Sequence, residues 1–241
     1  MAPTHLYGIN PVEAALLARR RELRFLFLRQ GEPSERLLHL RRLAEAIHLP
    51  VAEAPPSQLE RQCGSPAHQG AVLDCGPLPV MPENTALGLG AGQDFPLLVA
   101  LDQVEDPRNL GAVVRACNAF AATAVVVPRH HRAPGSAAAS SASAGALESF
   151  PLVEVANLAR FLAAAAKGGW WVAGAAAEGG TGMEQVSPGQ PLVLVLGNEG
   201  RGLRPLVARQ CHYLLTLPLP GGGSLNVASA AAVLLYALRN L

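Results

Sequence analysis

The chain has 241 residues, half of them hydrophobic, and a formal net charge of +1. That length accommodates one large or two small domains with a sizeable core. The charge balance excludes nucleic-acid binding through a global basic field and leaves only local patches for it. No stretch approaches the roughly 20 apolar residues that a membrane-spanning helix needs. Lys167 is the sole lysine, so the cations are almost all arginine. That bias fits planar contacts to phosphate, and it fits a GC-rich genome equally well. Cys63, Cys75, Cys117 and Cys211 form no CxxC pair, and no His/Cys cluster has zinc spacing, so no metal is expected. The cysteine usage and an N-terminus without a signal-peptide core predict a reduced, cytoplasmic protein.

In chain order, residues 10–20 read as a helix with Asn10 as N-cap and Pro11 in the first position. LRFLFL (23–28) reads as a strand. Residues 34–48 read as a helix with Leu37, Leu40, Leu43 and Ile47 on one face. A short strand near Val51, a helix over 57–62 and a strand over 71–75 complete an α/β unit, residues 1–76. Residues 77–96 are rich in Pro and Gly and read as a linker. The second unit, 97–241, opens on the apolar strand LLVALD (97–102). Strands at 123–127, 152–155, 170–174, 192–196 and 213–217 then alternate with helices near 109–120, 139–147, 157–166, 203–209 and 225–239. Such alternation predicts a parallel sheet with helices on both faces. The segment SAAASSASAGA (136–146) reads as a small-residue helix of this unit.

Ligands of such sheets sit outside the carboxyl ends of the strands, which makes three loops informative. The first strand leads into DQVEDPRNLGAVVRACNAF, where Asp106-Pro107 makes a turn and Asn109 is placed to cap the helix that carries Arg115. The fifth leads into GNEGRGLRPLV, where Gly197, Gly200 and Gly202 permit close backbone approach. Glu199 among them argues against an anion at that loop. The sixth leads into LPLPGGGSLNVASAAAVLLYAL. It lacks the Lys of a phosphate-binding P-loop and the position of a dinucleotide fingerprint. Ser224 and Asn226 are both suited to capping the last helix.

Taken together, DPRNLGAVVRA, LGNEGRGL and LPLPGGGSLNVASAAAVLLY resemble the three signature motifs of the SpoU family of RNA ribose 2′-O-methyltransferases. YGINPVEAAL and HQG (68–70) look like the small substrate-binding domain attached to the ribosomal-RNA members. The resemblance implies a SPOUT-type C-terminal domain with a deep trefoil knot and an N-terminal α/β RNA-binding domain. It implies S-adenosylmethionine as cofactor, contacted by Leu196, Gly197, Gly200, Leu217, Leu219 and Leu225, largely through backbone groups. Asn109, Arg115, Glu199, Ser224 and Asn226 match the family's active-site positions. Arginine stays protonated in proteins, so Arg115 reads better as a phosphate anchor than as a general base. Asn109 and Asn226 would position the ribose or hold Arg115, and Glu199 would order the pocket through backbone amides or that arginine.

The chain departs from the family pattern at Ala228, where many relatives carry Ser, in the missing Lys before SAGALE, and in one extra Gly in the last loop. The implied substrate is a guanosine of large-subunit ribosomal RNA. A tRNA ribose methyltransferase and a non-catalytic RNA-binding assembly factor are the alternatives. The resemblance also implies a homodimer through the knotted domain. The apolar face Val227, Ala231, Leu234, Leu235 and Leu238 fits a partner surface or simple core packing. In residues 1–78, nine arginines face eight acidic residues. The runs Arg19-Arg20-Arg21 with Arg24, and Arg41-Arg42, are candidate RNA contacts or solvated helix ends. His130-His131-Arg132 could touch phosphate or be a plain surface loop.

Overall fold

The computed structural model describes residues 4–129, 135–187 and 189–241. His130, His131 and Arg132 lie outside the described residues. The chain divides into two compact units.

The first unit comprises Met1–Pro79 and Ala133–Ser149. Its sheet has the order β1-β4-β2-β3, from β1 (Thr4–Tyr7), β2 (Leu23–Arg29), β3 (Val51–Ala54) and β4 (Ala71–Cys75). β4 runs antiparallel to β1 and β2, and β2 runs parallel to β3. Strand β1 has no counterpart among the elements expected from sequence. Alternation along β2 turns Leu26 and Leu28 into a core shared with α1 (Ile9–Ala18) and α2 (Glu35–Ala46). Phe27, on the opposite face, packs with Leu59 of α3 (Pro56–Cys63). Ser34 caps α2 by accepting from Leu37 N at 3.4 Å. Asn10 does not cap α1: the helix begins after Gly8, whose φ of +90° lies in the left-handed region that glycine tolerates. The Asn10 side chain instead accepts from Arg36.

The small-residue segment does not join the helices of the second sheet. It forms α5 (Ala137–Ala142) and a 3₁₀ turn (Ala146–Glu148), both in the first unit. Glu148 is 1% exposed and Arg21 4%. Glu148 Oε2 accepts from Arg21 Nε at 2.6 Å, and its Oε1 accepts from Arg21 Nη2 at 3.0 Å and from Ser140 Oγ at 2.7 Å. The guanidinium also donates to the carbonyls of Gly76 and Gly135. A buried charge needs such a full set of partners. The candidate phosphate-binding run is therefore partly internal: Arg21 is buried, Arg24 pairs with Glu22, and Arg41 pairs with Glu53.

The second unit, Val80–Arg132 and Phe150–Leu241, holds a seven-stranded sheet in the order β11-β9-β10-β6-β7-β8-β5. The strands are β5 (Met81–Pro82), β6 (Leu97–Leu101), β7 (Ala124–Pro128), β8 (Leu152–Val155), β9 (Trp171–Ala175), β10 (Leu192–Leu196) and β11 (Tyr213–Leu215). Every pairing in it is parallel. β6 and β10 are buried along their whole lengths, as central strands covered on both faces must be. Leu98, Ala100, Val193 and Val195 face α6 (Leu158–Lys167) and α7 (Pro205–Ala208). α4 (Pro107–Ala119) packs against β7 and against α8 (Val227–Arg239). Residues 80–96, read as linker, carry β5 and a 3₁₀ helix (Glu83–Gly88) whose Ala86 is fully buried. Val227, Ala231, Leu234, Leu235 and Leu238 are all buried within the chain, so that face is core. The large residues α8 leaves exposed are Val233 and Tyr236.

Candidate active site

Three strand ends build the site, each by a local rule. β6 runs into the fully buried Asp102, and the chain turns through Asp106, which caps α4 by accepting from Arg108 N at 2.8 Å. Arg108 also clasps that carboxylate and holds it below its usual pKa. Asp106 thus takes the capping role expected of Asn109 and leaves the Asn109 amide free to face another loop. β10 leads into the glycine-rich turn 197–202. There Asn198 and Gly202 exchange backbone hydrogen bonds of 3.1 and 2.8 Å, and Asn198 Oδ1 accepts from the amides of Gly200 and Arg201. A Cβ on Gly197 would lie 2.4 Å from the Gly202 carbonyl carbon, so only glycine fits. The chain leaving β11 reaches α8, which Asn226 caps by accepting from Ala228 N at 2.8 Å.

These ends meet in one polar cluster. Glu199 Oε1 accepts from Asn109 Nδ2 at 2.7 Å and from Asn226 Nδ2 at 2.6 Å, and Asn226 Nδ2 also lies 3.2 Å from Asn109 Oδ1. The residues are 90 and 27 positions apart in sequence. Asn226 therefore has both roles open to it: its oxygen caps the helix and its nitrogen joins the site. Among the described residues Glu199 is held by two side-chain amides, with no hydrogen bond to a backbone amide or to Arg115.

Beside this cluster lies a cavity of about 360 Å³ whose lining includes Glu199 and Ser224 together with Leu196, Gly197, Gly200, Leu217, Leu219 and Leu225. Every residue expected to hold the cofactor thus borders one space. Ala175, Ala176 and Ala177, at and after the end of β9, form another part of the wall. Sequence reasoning passed over them because alanines carry no motif. Pockets for small ligands commonly start near ~300 Å³ and pair apolar walls with a few polar groups, and this one has both. Arg115 stands apart. It is exposed on α4 and lines a shallow groove with Phe120, Ala228 and Ser229. Among the described residues it has no hydrogen-bond or ion-pair partner. Asn109 and Arg115 are six positions apart, so helix geometry turns them to different faces.

Sequence reasoning also missed Asp102, Asn198 and Arg204. Asp102 Oδ1 accepts from Arg204 Nε at 2.6 Å, and Asn198 Nδ2 donates to the Gln103 carbonyl at 3.1 Å. The available signal was a carboxylate closing an otherwise apolar strand, LLVALD, at the ligand end of a parallel sheet. No group of three or more His, Cys, Asp or Glu suited to a metal occurs among the described residues.

Comparison with known proteins matches residues 96–236 to the SpoU rRNA Methylase family and residues 5–81 to the RNA 2′-O ribose methyltransferase substrate binding family. The 23S rRNA (guanosine-2′-O-)-methyltransferase RlmB of Pseudomonas aeruginosa is 37% identical over 96% of this chain and 94% of its own. The RlmB of Escherichia coli K12 is 34% identical over 96% of each chain. Among solved structures, the SpoU methyltransferase AviRb of Streptomyces viridochromogenes in complex with AdoMet superposes with a TM-score of 0.81. It covers 99% of this chain and 89% of its own at 24% identity, a likeness of fold. A putative RNA methyltransferase of the TrmH family from Porphyromonas gingivalis, 26% identical, covers 99% and 90% with a TM-score of 0.74. The motifs that build the cavity and the polar cluster lie within the matched 96–236 segment, and the chain belongs to the SpoU rRNA methylase family.

Proposed function

We propose that this protein methylates a ribose 2′-hydroxyl of RNA with S-adenosylmethionine, and that its substrate is a guanosine of large-subunit ribosomal RNA. The observation that carries the reading is the Glu199–Asn109–Asn226 cluster beside a cavity walled by every residue expected to contact the cofactor. The near full-length match to RlmB proteins favours ribosomal RNA over tRNA. Both matched families describe RNA methylation, which favours an enzyme over a decayed assembly factor.

The cavity suits the cofactor in size and in lining: Leu196, Leu217, Leu219 and Leu225 offer apolar surface, and Gly197 and Gly200 bring the backbone close. S-adenosylmethionine supplies a methyl group already activated by its sulfonium, so the protein's task is alignment. Glu199 fixes the amides of Asn109 and Asn226, which orient the ribose. Arg115, unpaired and exposed among the described residues, binds a substrate phosphate as a fixed cation. Ser224 closes the last loop over the pocket.

Three finer readings belong with this one. Residues 1–79 with their inserted segment form the RNA-binding unit. The C-terminal segment is knotted, as the family resemblance implies and as β11 returning to the far side of β9 supports. The protein is a cytoplasmic homodimer that buries the exposed Val233 and Tyr236 of α8.

The test is transfer of labelled methyl from S-adenosylmethionine to unmodified large-subunit rRNA and, separately, to unmodified tRNA, followed by mapping of alkali-resistant linkages. One 2′-O-methyl site in rRNA is expected. Label in tRNA alone would overturn the substrate, and absence of cofactor binding would overturn the enzyme reading.

A further inference from the structure

We infer that Asp102 and Arg204 are positioning residues that hold the loop 197–204 in its cofactor-binding shape. The inference rests on the S-adenosylmethionine reading above. The loop carries three glycines, and free glycines populate many backbone conformations, so a loop of this composition is not self-ordering. The structure fastens it at both ends to two consecutive residues at the end of β6. At one end the carboxylate of Asp102, fully buried, accepts from the Arg204 backbone amide at 2.8 Å and from Arg204 Nε at 2.6 Å. At the other, the Gln103 carbonyl accepts from Asn198 Nδ2 at 3.1 Å, with Gln103 itself at a φ of +60°. Between these points lie Glu199 and the cavity-lining Gly200, Arg201 and Gly202.

The same stretch of chain continues from Gln103 to α4 and Asn109. One strand end therefore sets both partners of the 2.7 Å Asn109–Glu199 contact. A loop already held in its bound shape gives up less conformational freedom when ligand arrives. Arg204 meets this carboxylate at two points, its backbone amide on Oδ2 and its side-chain Nε on Oδ1. Only the Asp102 side of this ion pair is buried, the Arg204 side chain being 45% exposed. If Asp102 served stability alone, an uncharged pair filling the same space would do as well, because a buried charge is often matched by a neutral replacement.

That difference supplies the experiment. Wild type, Asp102→Leu, Arg204→Met and the double variant, each as the full chain, are compared by thermal unfolding and by equilibrium dialysis against labelled S-adenosylmethionine. Each single variant should weaken binding by about ten- to a hundredfold, the scale expected when a supporting contact misplaces a site, and should lower the unfolding temperature. The double variant leaves no unpaired charge, so its unfolding temperature should return toward wild type while its cofactor affinity stays as weak as in the worse single variant. Wild-type affinity in a folded double variant would overturn the tether. A wild-type protein that binds no S-adenosylmethionine would instead overturn the cofactor reading, and the tether with it.

Discussion

Asn226 shows how one side chain can satisfy a local and a distant demand at once. A helix N-terminus needs an acceptor, and the Asn226 oxygen supplies it to Ala228 N. Its amide nitrogen, left over, meets Glu199. An aspartate would cap as well, but it would set a second carboxylate against Glu199, so Asn226→Asp should keep the helix and lose activity. Asn109→Ala and Arg115→Ala should each cut methyl transfer by about a hundredfold or more while leaving cofactor binding nearly intact. Calorimetric titration with S-adenosylmethionine would show an error of placement if both variants lost affinity. The cysteines give a separate prediction. Burial disfavours the thiolate and pushes Cys75 and Cys211 up to about 11 and Cys117 higher still. These three thiols should resist alkylation of the folded protein at pH 7. For Cys75 and Cys211, reactivity should rise only as the pH approaches about 11. Rapid labelling at neutral pH, read by mass spectrometry, would contradict this.

At the scale of elements, the three loops are shaped by what they must pass close to. Gly197 has no room for a Cβ beside Gly202, and Gly202, Gly222 and Gly223 all have positive φ. Gly197→Ala forces the turn 197–202 apart, so it should lower S-adenosylmethionine affinity by about tenfold or more. Gly221→Ala meets no atom within 4 Å and should bind like wild type. Equal affinities in dialysis would remove the steric argument. Segments 80–96 and 136–146 were placed by partners far away in the chain. Proline and glycine give 80–96 the composition of a spacer, yet two of its residues extend the sheet at β5. Serine and alanine give 136–146 the composition of an ordinary helix following β7, yet the segment belongs to the first unit. Composition reports local preference, and neither segment's partners are local.

At the scale of the whole molecule, the first unit is discontinuous in sequence. Residues 135–149 leave the chain of the second unit between β7 and β8 and complete the core of the first, where Leu147 is fully buried. A fragment of residues 1–79 should therefore lack a sharp cooperative transition in denaturant. Glu148→Ala leaves the Arg21 guanidinium buried without its carboxylate, a loss on the order of 3–5 kcal/mol. Urea unfolding followed by circular dichroism measures it, and a change under about 1 kcal/mol would show that the pair is not needed for stability.

The sequence by itself determined the strand–helix alternation and the parallel sheet, because apolar periodicity is written locally, and its three loop motifs carried the resemblance to the family. It also named residues that come to border one cavity, since they sit in contiguous motifs, but not Ala175, Ala176 and Ala177 of the same wall. That Asp106, not Asn109, caps α4 was also written locally, as an Asp before a Pro in the first helical position. Only the tertiary structure showed that Glu199 is held by two amides, that Arg21 is internal, and that the apolar face of α8 is core. The Asp106 cap is local, two residues from Arg108, but the contacts of Glu199 and Arg21 depend on which side chain arrives opposite, and residues 27 to 127 positions apart meet there. No pattern within a few turns of chain encodes such a meeting, because it is fixed by packing and by the requirement that every buried polar group find a partner.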